Sequence, residues 1–155
     1  MRPAAMNILE YLEHGIKLEE IISRCYKTLA ETCPAGEAQN RLLRISGEET
    51  NHANVLRSGR DFARKMPDLF GPQAFPSAEL LEGVRSAESL LARIVGGGDQ
   101  KPLLTVLLDL ERRFEGIHLN TAVEIQDESL RKLFENLSRE DSRHIEALTG
   151  IIASL

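Results

Sequence analysis

Tryptophan is absent from this chain, and aromatic residues make up only 5% of it. No apolar run approaches the ~20 positions that a membrane-crossing helix needs, so no membrane partner is expected. Nor is there a Cys-x-x-Cys: Cys25 and Cys33 stand apart, which argues against a four-thiolate iron or zinc site. Two isolated thiols suit a reducing compartment and read as core filling, so the expected location is cytoplasmic. The opening Met1-Arg2-Pro3-Ala4-Ala5-Met6 leads into an amphipathic pattern with acids rather than a signal peptide. Excess positive charge is missing too. A net charge of −5 argues against a nucleic-acid surface.

What remains is rich in Leu, Ile, Ala, Glu and Arg, which is helical composition. The 155 residues are expected to form a single domain, 1–155, large enough for a proper core. Apolar residues recur at helical spacing from Ile8 to about Glu31, until Cys33-Pro34-Ala35-Gly36 breaks the pattern. A second helix is predicted from Glu37 to about Lys65, stopped by Pro67. Residues 66–76 read as a connector. Ser77 then offers an N-cap for a shorter helix with Leu80, Val84, Ala87, Leu91 and Ile94 on one stripe, closed by Gly96-Gly97-Gly98. Pro102 suits the first turn of another long helix reaching about Gln126. A break at Asp127-Glu128 leads to the last helix, ending near Ala153. The prediction is therefore all-α: hairpin 8–65, crossover 66–101 with its own helix, and hairpin 102–153. The long connection lets the second and third long helices run parallel.

The two hairpins repeat. Shifted by 92 positions, Leu18 falls on Leu110, Glu19 on Glu111, Tyr26 on His118, and Ala30 on Ala122. Ser46 meets Ser138, Glu48 meets Glu140, Glu49 meets Asp141, and His52 meets His144, all without a gap. The 3–4 spacing of the inner face sharpens this. The inner face of the first helix reads Ile8, Leu12, Gly15, Glu19, Ile22, Tyr26, Leu29, and of the second Leu42, Ile45, Glu49, His52, Leu56. The later pair reads Leu104, Leu107, Glu111, Phe114, His118 and Phe134, Leu137, Asp141, His144, Leu148. Each face is apolar until mid-helix, where acids and histidines appear.

Four carboxylates at one level of a bundle core would repel strongly unless countercharge is present. Two divalent cations balance four carboxylates and leave two imidazoles as neutral ligands. A dinuclear metal site is the economical reading, and binding should stabilise the fold. An acid-x-x-His pair alone means little, because Glu115/His118 also satisfies it. Matched positions in both hairpins single out Glu49/His52 and Asp141/His144.

With these residues in place, the pattern Glu19-x6-Tyr26, Glu49-x2-His52, Glu111-x6-His118, Asp141-x2-His144 resembles the ferritin-like di-iron carboxylate four-helix bundle, closest to the rubrerythrin-like branch. The resemblance covers roughly residues 8–65 and 102–153. It implies Glu19 and Glu111 as metal ligands, with Glu49/His52 and Asp141/His144 as the two Glu-x-x-His pairs. Tyr26 would stand where the family has a tyrosine bonded to a ligand carboxylate. Three departures stand out: Asp141 is one methylene short of the usual Glu, His118 replaces a second tyrosine, and the rubredoxin-like module is missing.

Other residues leave alternatives. Glu115, one turn beyond Glu111, is a possible extra ligand. His118 is open between ligand, hydrogen-bond donor, proton shuttle and plain core histidine. Glu48 and Glu140 read as partners that orient the imidazoles, or as the shared relic of a solvated face. Glu20 and His14 read as solvated.

Carboxylate-rich sites with one nitrogen per metal suit iron or manganese, with zinc open. The expectation is two iron ions in a di-iron oxidoreductase that reduces peroxide or oxidises ferrous iron using O2 or peroxide. Alternatives are iron or manganese storage without turnover, and O2-dependent oxidation of an organic substrate. A peroxidase would need a separate electron-donor protein. The apolar crossover helix suggests a homodimer, since such a face must be covered.

Overall fold

The computed structural model describes residues 5–66 and 75–155, in which five helices carry almost all regular structure. These are α1 (Ile8–Thr32), α2 (Glu37–Lys65), α3 (Ala78–Val95), α4 (Gln100–Glu124) and α5 (Glu128–Ala153). A two-residue pair, β1 (Ala5–Met6) and β2 (Phe75–Pro76), joins antiparallel, Ala5 opposite Pro76. Pro67 as the stop of α2, and most of the expected connector, lie outside the described residues. So do residues 1–4.

Local chemistry sets the ends. The Asn7 side chain accepts from the Glu10 amide at 2.9 Å and starts α1; Asp127 does the same for α5 through the Leu130 amide at 2.9 Å. Ser77 precedes α3, but its hydroxyl does not cap the helix, contrary to the sequence reading. Helix α4 starts at Gln100 and holds Pro102 in its first turn, as expected. It stops at Glu124, short of Gln126, because Ile125 turns extended and buries its side chain. Between α3 and α4 the chain reverses through Gly97, whose φ of +86° suits glycine.

Cross-helix contacts fix the directions. Ser23 bonds Ser46, and Gln39 reaches back to the Ala30 carbonyl, so α1 and α2 are antiparallel. The three-residue connection from Glu124 to Glu128, with Ser138 reaching back to the Glu115 carbonyl, makes α4 and α5 antiparallel. Gln100 reaches Leu29 while Tyr11 bonds Thr121, which opposes α1 to α4; His52–Glu140 and His144–Glu48 oppose α2 to α5. Consequently α2 and α4 run the same way. Only a connection that travels the length of the bundle can join them, and α3 travels with it, packed on α1 and α4.

The inner faces read from the sequence are buried throughout, apart from half-buried Gly15. Leu12, Ile22, Leu29, Leu42, Leu56, Leu104, Leu107, Phe134 and Leu148 form apolar layers above and below a polar middle. Each fully buried leucine contributes about 1.5–3 kcal/mol of transfer energy. Helix α3 buries Leu80, Gly83, Val84, Ala87, Leu90 and Ile94 within the chain. Its apolar face is thus already covered, which leaves the expected homodimer without that support. No described helix is long and apolar enough to cross a membrane.

Candidate metal centre

The polar middle gathers Glu19 from α1, Glu49 and His52 from α2, Glu111 from α4, and Asp141 and His144 from α5. None is more than 4% exposed. Acid and histidine three apart on α2 and on α5 face the same side of their helix, so both pairs point inward. Donor atoms of Glu49, Glu111, Asp141 and His144 lie within 4.8 Å of one another, as do those of Glu19, Glu49 and His52. Glu49 belongs to both sets. The His52 and His144 rings stack across the centre, 5.4 Å between centroids.

The outer edges of those rings are held crosswise. His52 Nε2 donates to Glu140 on α5, and His144 Nε2 donates to Glu48 on α2 at 2.8 Å. Each imidazole is therefore oriented by the acid of the other hairpin. A neutral ring that donates through Nε2 keeps its lone pair on Nδ1, turned into the core. His144 Nδ1 comes within 2.8 Å of Glu49 Oε1, and His52 Nδ1 within 3.2 Å of Glu49 Oε2. Neither approach is aligned as a hydrogen bond. Both Nδ1 atoms and both Glu49 oxygens are buried without any hydrogen-bond partner. An unsatisfied buried polar atom costs about 1–3 kcal/mol, so four at one point favour a shared partner for their lone pairs. A cation is such a group, and this donor set fits one.

The electrostatics agree. Burial first, then the neighbouring Glu19 carboxylate, pushes Glu49 well above the usual carboxylate range. Glu111 moves the same way through burial and the charges of Glu49 and Asp141. Asp141 is raised by burial, against the opposing pull of His118. Burial also acts to raise Glu19, but nearby Glu49, His52 and His118 hold it at about 2. For His52, burial acts downward, yet Glu19 and Glu49 carry it up to about 12. Acids that keep protons and histidines that gather them both signal a surplus of buried negative charge.

The remaining candidates separate. Tyr26, fully buried, donates to Glu111 Oε1 at 2.6 Å. His118 bonds Asp141 Oδ2 through Nδ1 at 2.5 Å and brings Nε2 within 3.4 Å of Glu19 Oε1. Glu115 stands outside both donor sets and accepts from Ser142 at 2.7 Å. Glu20 pairs with Arg57, and His14 is half-exposed and away from the centre. Cys25 and Cys33 are free and buried; burial lifts Cys25 to about 12, far from a reactive thiolate.

Two features escaped the sequence reading. Ser23, Ser46 and Thr50 form a hydroxyl cluster between α1 and α2, and Ser138 and Ser142 with Glu115 form its counterpart between α4 and α5. The repeat aligned Ser46 with Ser138, a signal that these positions matter. The second is a cavity of about 500 Å³ over the α2–α5 side, lined by Arg41, Arg44, Arg143, Glu48, Glu140 and His144 among others. No spacing rule marks it, because its arginines come from two helices, Arg41 and Arg44 from α2 and Arg143 from α5.

No protein-family model, curated protein or solved structure matches this chain.

Proposed function

We propose that the chain is a ferritin-like, dinuclear-metal oxidoreductase of rubrerythrin type, holding two iron ions and reducing peroxide or oxidising ferrous iron. The observation that carries this reading is the orphaned quartet of Glu49 Oε1, Glu49 Oε2, His52 Nδ1 and His144 Nδ1, set among Glu19, Glu111 and Asp141. Glu49 would be shared by the two ions, with Glu19 and His52 completing one set and Glu111, Asp141 and His144 the other. Bound iron would supply the electrons for cleaving an O–O bond, chemistry that side chains alone do not offer.

The chain's own residues do the rest. Glu48 and Glu140 fix the tautomer and direction of the imidazoles. Tyr26 steadies Glu111, and the leucine layers on either side limit water. The cavity that touches His144 is ringed by arginines and glutamates, which favours a small polar oxidant over a bulky apolar substrate. That observation weighs against oxidation of an organic substrate. With no Cys-x-x-Cys in the chain, a peroxidase cycle would draw its electrons from a separate donor protein.

The test is anaerobic loading with ferrous iron followed by peroxide under stopped flow. Two irons per chain and rapid oxidation of both are the expected result. Iron uptake far beyond two per chain would favour storage instead. No spectral change on adding peroxide would refute the oxidoreductase.

A further inference from the structure

The two halves of the centre are built alike, so the places where they differ carry information. Ser46 donates to the Ser23 carbonyl at 2.9 Å, and its counterpart Ser138 donates to the Glu115 carbonyl at 3.3 Å. Thr50 bonds Ser23 and its counterpart Ser142 bonds Glu115, each at an equivalent place. Glu140 and Glu48 hold the two imidazoles in mirrored fashion. Tyr26 meets Glu111 and its counterpart His118 meets Glu19, so even these unlike residues occupy matching posts.

The likeness fails at one pair. A tyrosine hydroxyl donates one hydrogen bond, and Tyr26 gives it to Glu111. An imidazole has two ring nitrogens, and His118 spans Glu19 with one and Asp141 with the other. Asp141, the shorter counterpart of Glu49, thus has one carboxylate oxygen engaged by His118 and is drawn to that side. Glu49 carries no such tie on either oxygen. The donor sets reflect this. Glu49 joins both, but Asp141 joins only the set with Glu111 and His144. One position has four protein donors and the other three, where strict repetition would make them equal.

We propose that His118 and Asp141 make the two metal positions unequal: a tight one at Glu49, Glu111, Asp141 and His144, and a weaker, exchangeable one at Glu19, Glu49 and His52. This rests on the metal reading above. With Asp141 outside its donor set, the weaker position would hold an ion through three residues rather than four. His118 acts here as a positioning residue, setting where the Asp141 carboxylate lies.

Titration of the metal-stripped protein with Co(II), followed by d–d absorption and heat, separates the possibilities. Two ions should bind in two steps whose affinities differ on the order of tenfold to a hundredfold, the range that altered partners of metal ligands produce. The double variant His118→Tyr/Asp141→Glu restores the repeat and should bring the steps together. Glu19→Gln should weaken only the second step, and Glu111→Gln only the first; these keep the test open should the double variant fold poorly. Equal affinities in the unaltered protein, or equal effects of Glu19→Gln and Glu111→Gln on both steps, would overturn the inequality while leaving a dinuclear centre. Absence of Co(II) binding would overturn the metal reading itself.

Discussion

A carboxylate removed from water either finds a partner or keeps its proton, and Glu49, Glu111 and Asp141 show the second tendency wherever no cation balances them. This gives a signed pH dependence. Acids whose folded pKa is raised favour the fold at low pH and lose that contribution as pH rises above the ordinary carboxylate range. His52, raised to about 12, likewise loses its contribution as pH climbs from its usual value near 6.5 toward 12. Glu19, held at about 2, acts oppositely, and its contribution disappears only as pH falls from about 4.5 toward 2. The melting temperature of chelator-treated protein should therefore fall between pH 6 and 9. Saturating divalent metal should flatten or reverse the slope, since metal replaces those protons. A rising melting temperature in the chelated protein across that window would contradict the charge balance. The imidazole anchors are testable separately. Glu140→Ala and Glu48→Ala should each weaken metal binding by about 10–100-fold in calorimetric titration, whereas Glu13→Ala, in a surface ion pair with Arg60, should leave it unchanged. Tyr26→Phe should cost about 1–3 kcal/mol in denaturant unfolding while metal stoichiometry stays the same.

At the scale of the helices, the acids and histidines are placed by periodicity, and that is why they were legible. Glu19, Glu49, His52, Glu111, Asp141 and His144 continue apolar faces whose other members must be buried, so their burial follows from Leu12, Leu42, Leu107 and Leu148. The crosswise pairing of Glu48 with His144 and of Glu140 with His52 was not legible. The sequence repeat suggested partners for the imidazoles, but which hairpin supplies which acid depends on how α2 meets α5 in space. Ser77 illustrates the limit of local rules: it has the right chemistry for a cap, and its backbone does not present the hydroxyl that way. That α3 is covered is not legible from its own apolar stripe, because the helix it packs on most, α1, is distant in sequence. Its approach to α4 is close: a β-carbon on Gly83 would sit 3.0 Å from the Phe114 ring. Gly83→Val should therefore destabilise the fold by about 1–3 kcal/mol through overpacking, read from a urea melt, with metal content retained. No loss of stability would mean that α3 is not seated on Phe114.

For the whole molecule, the parallel course of α2 and α4 makes the crossover a necessity and lets two similar hairpins close around one centre. The repeat announced that closure, and the departures from it, His118 and Asp141, are where the two halves part company. Layers of leucine on both sides leave the mid-bundle charge with few means of neutralisation other than protons or metal. The proposed function stands or falls on bound cation, and the most direct measurement is elemental analysis of protein purified without added metal. Two first-row divalent ions per chain, chiefly iron, are expected, falling sharply in Glu49→Ala together with the melting temperature. Metal at background level, or metal content and melting temperature unchanged in Glu49→Ala, would contradict it.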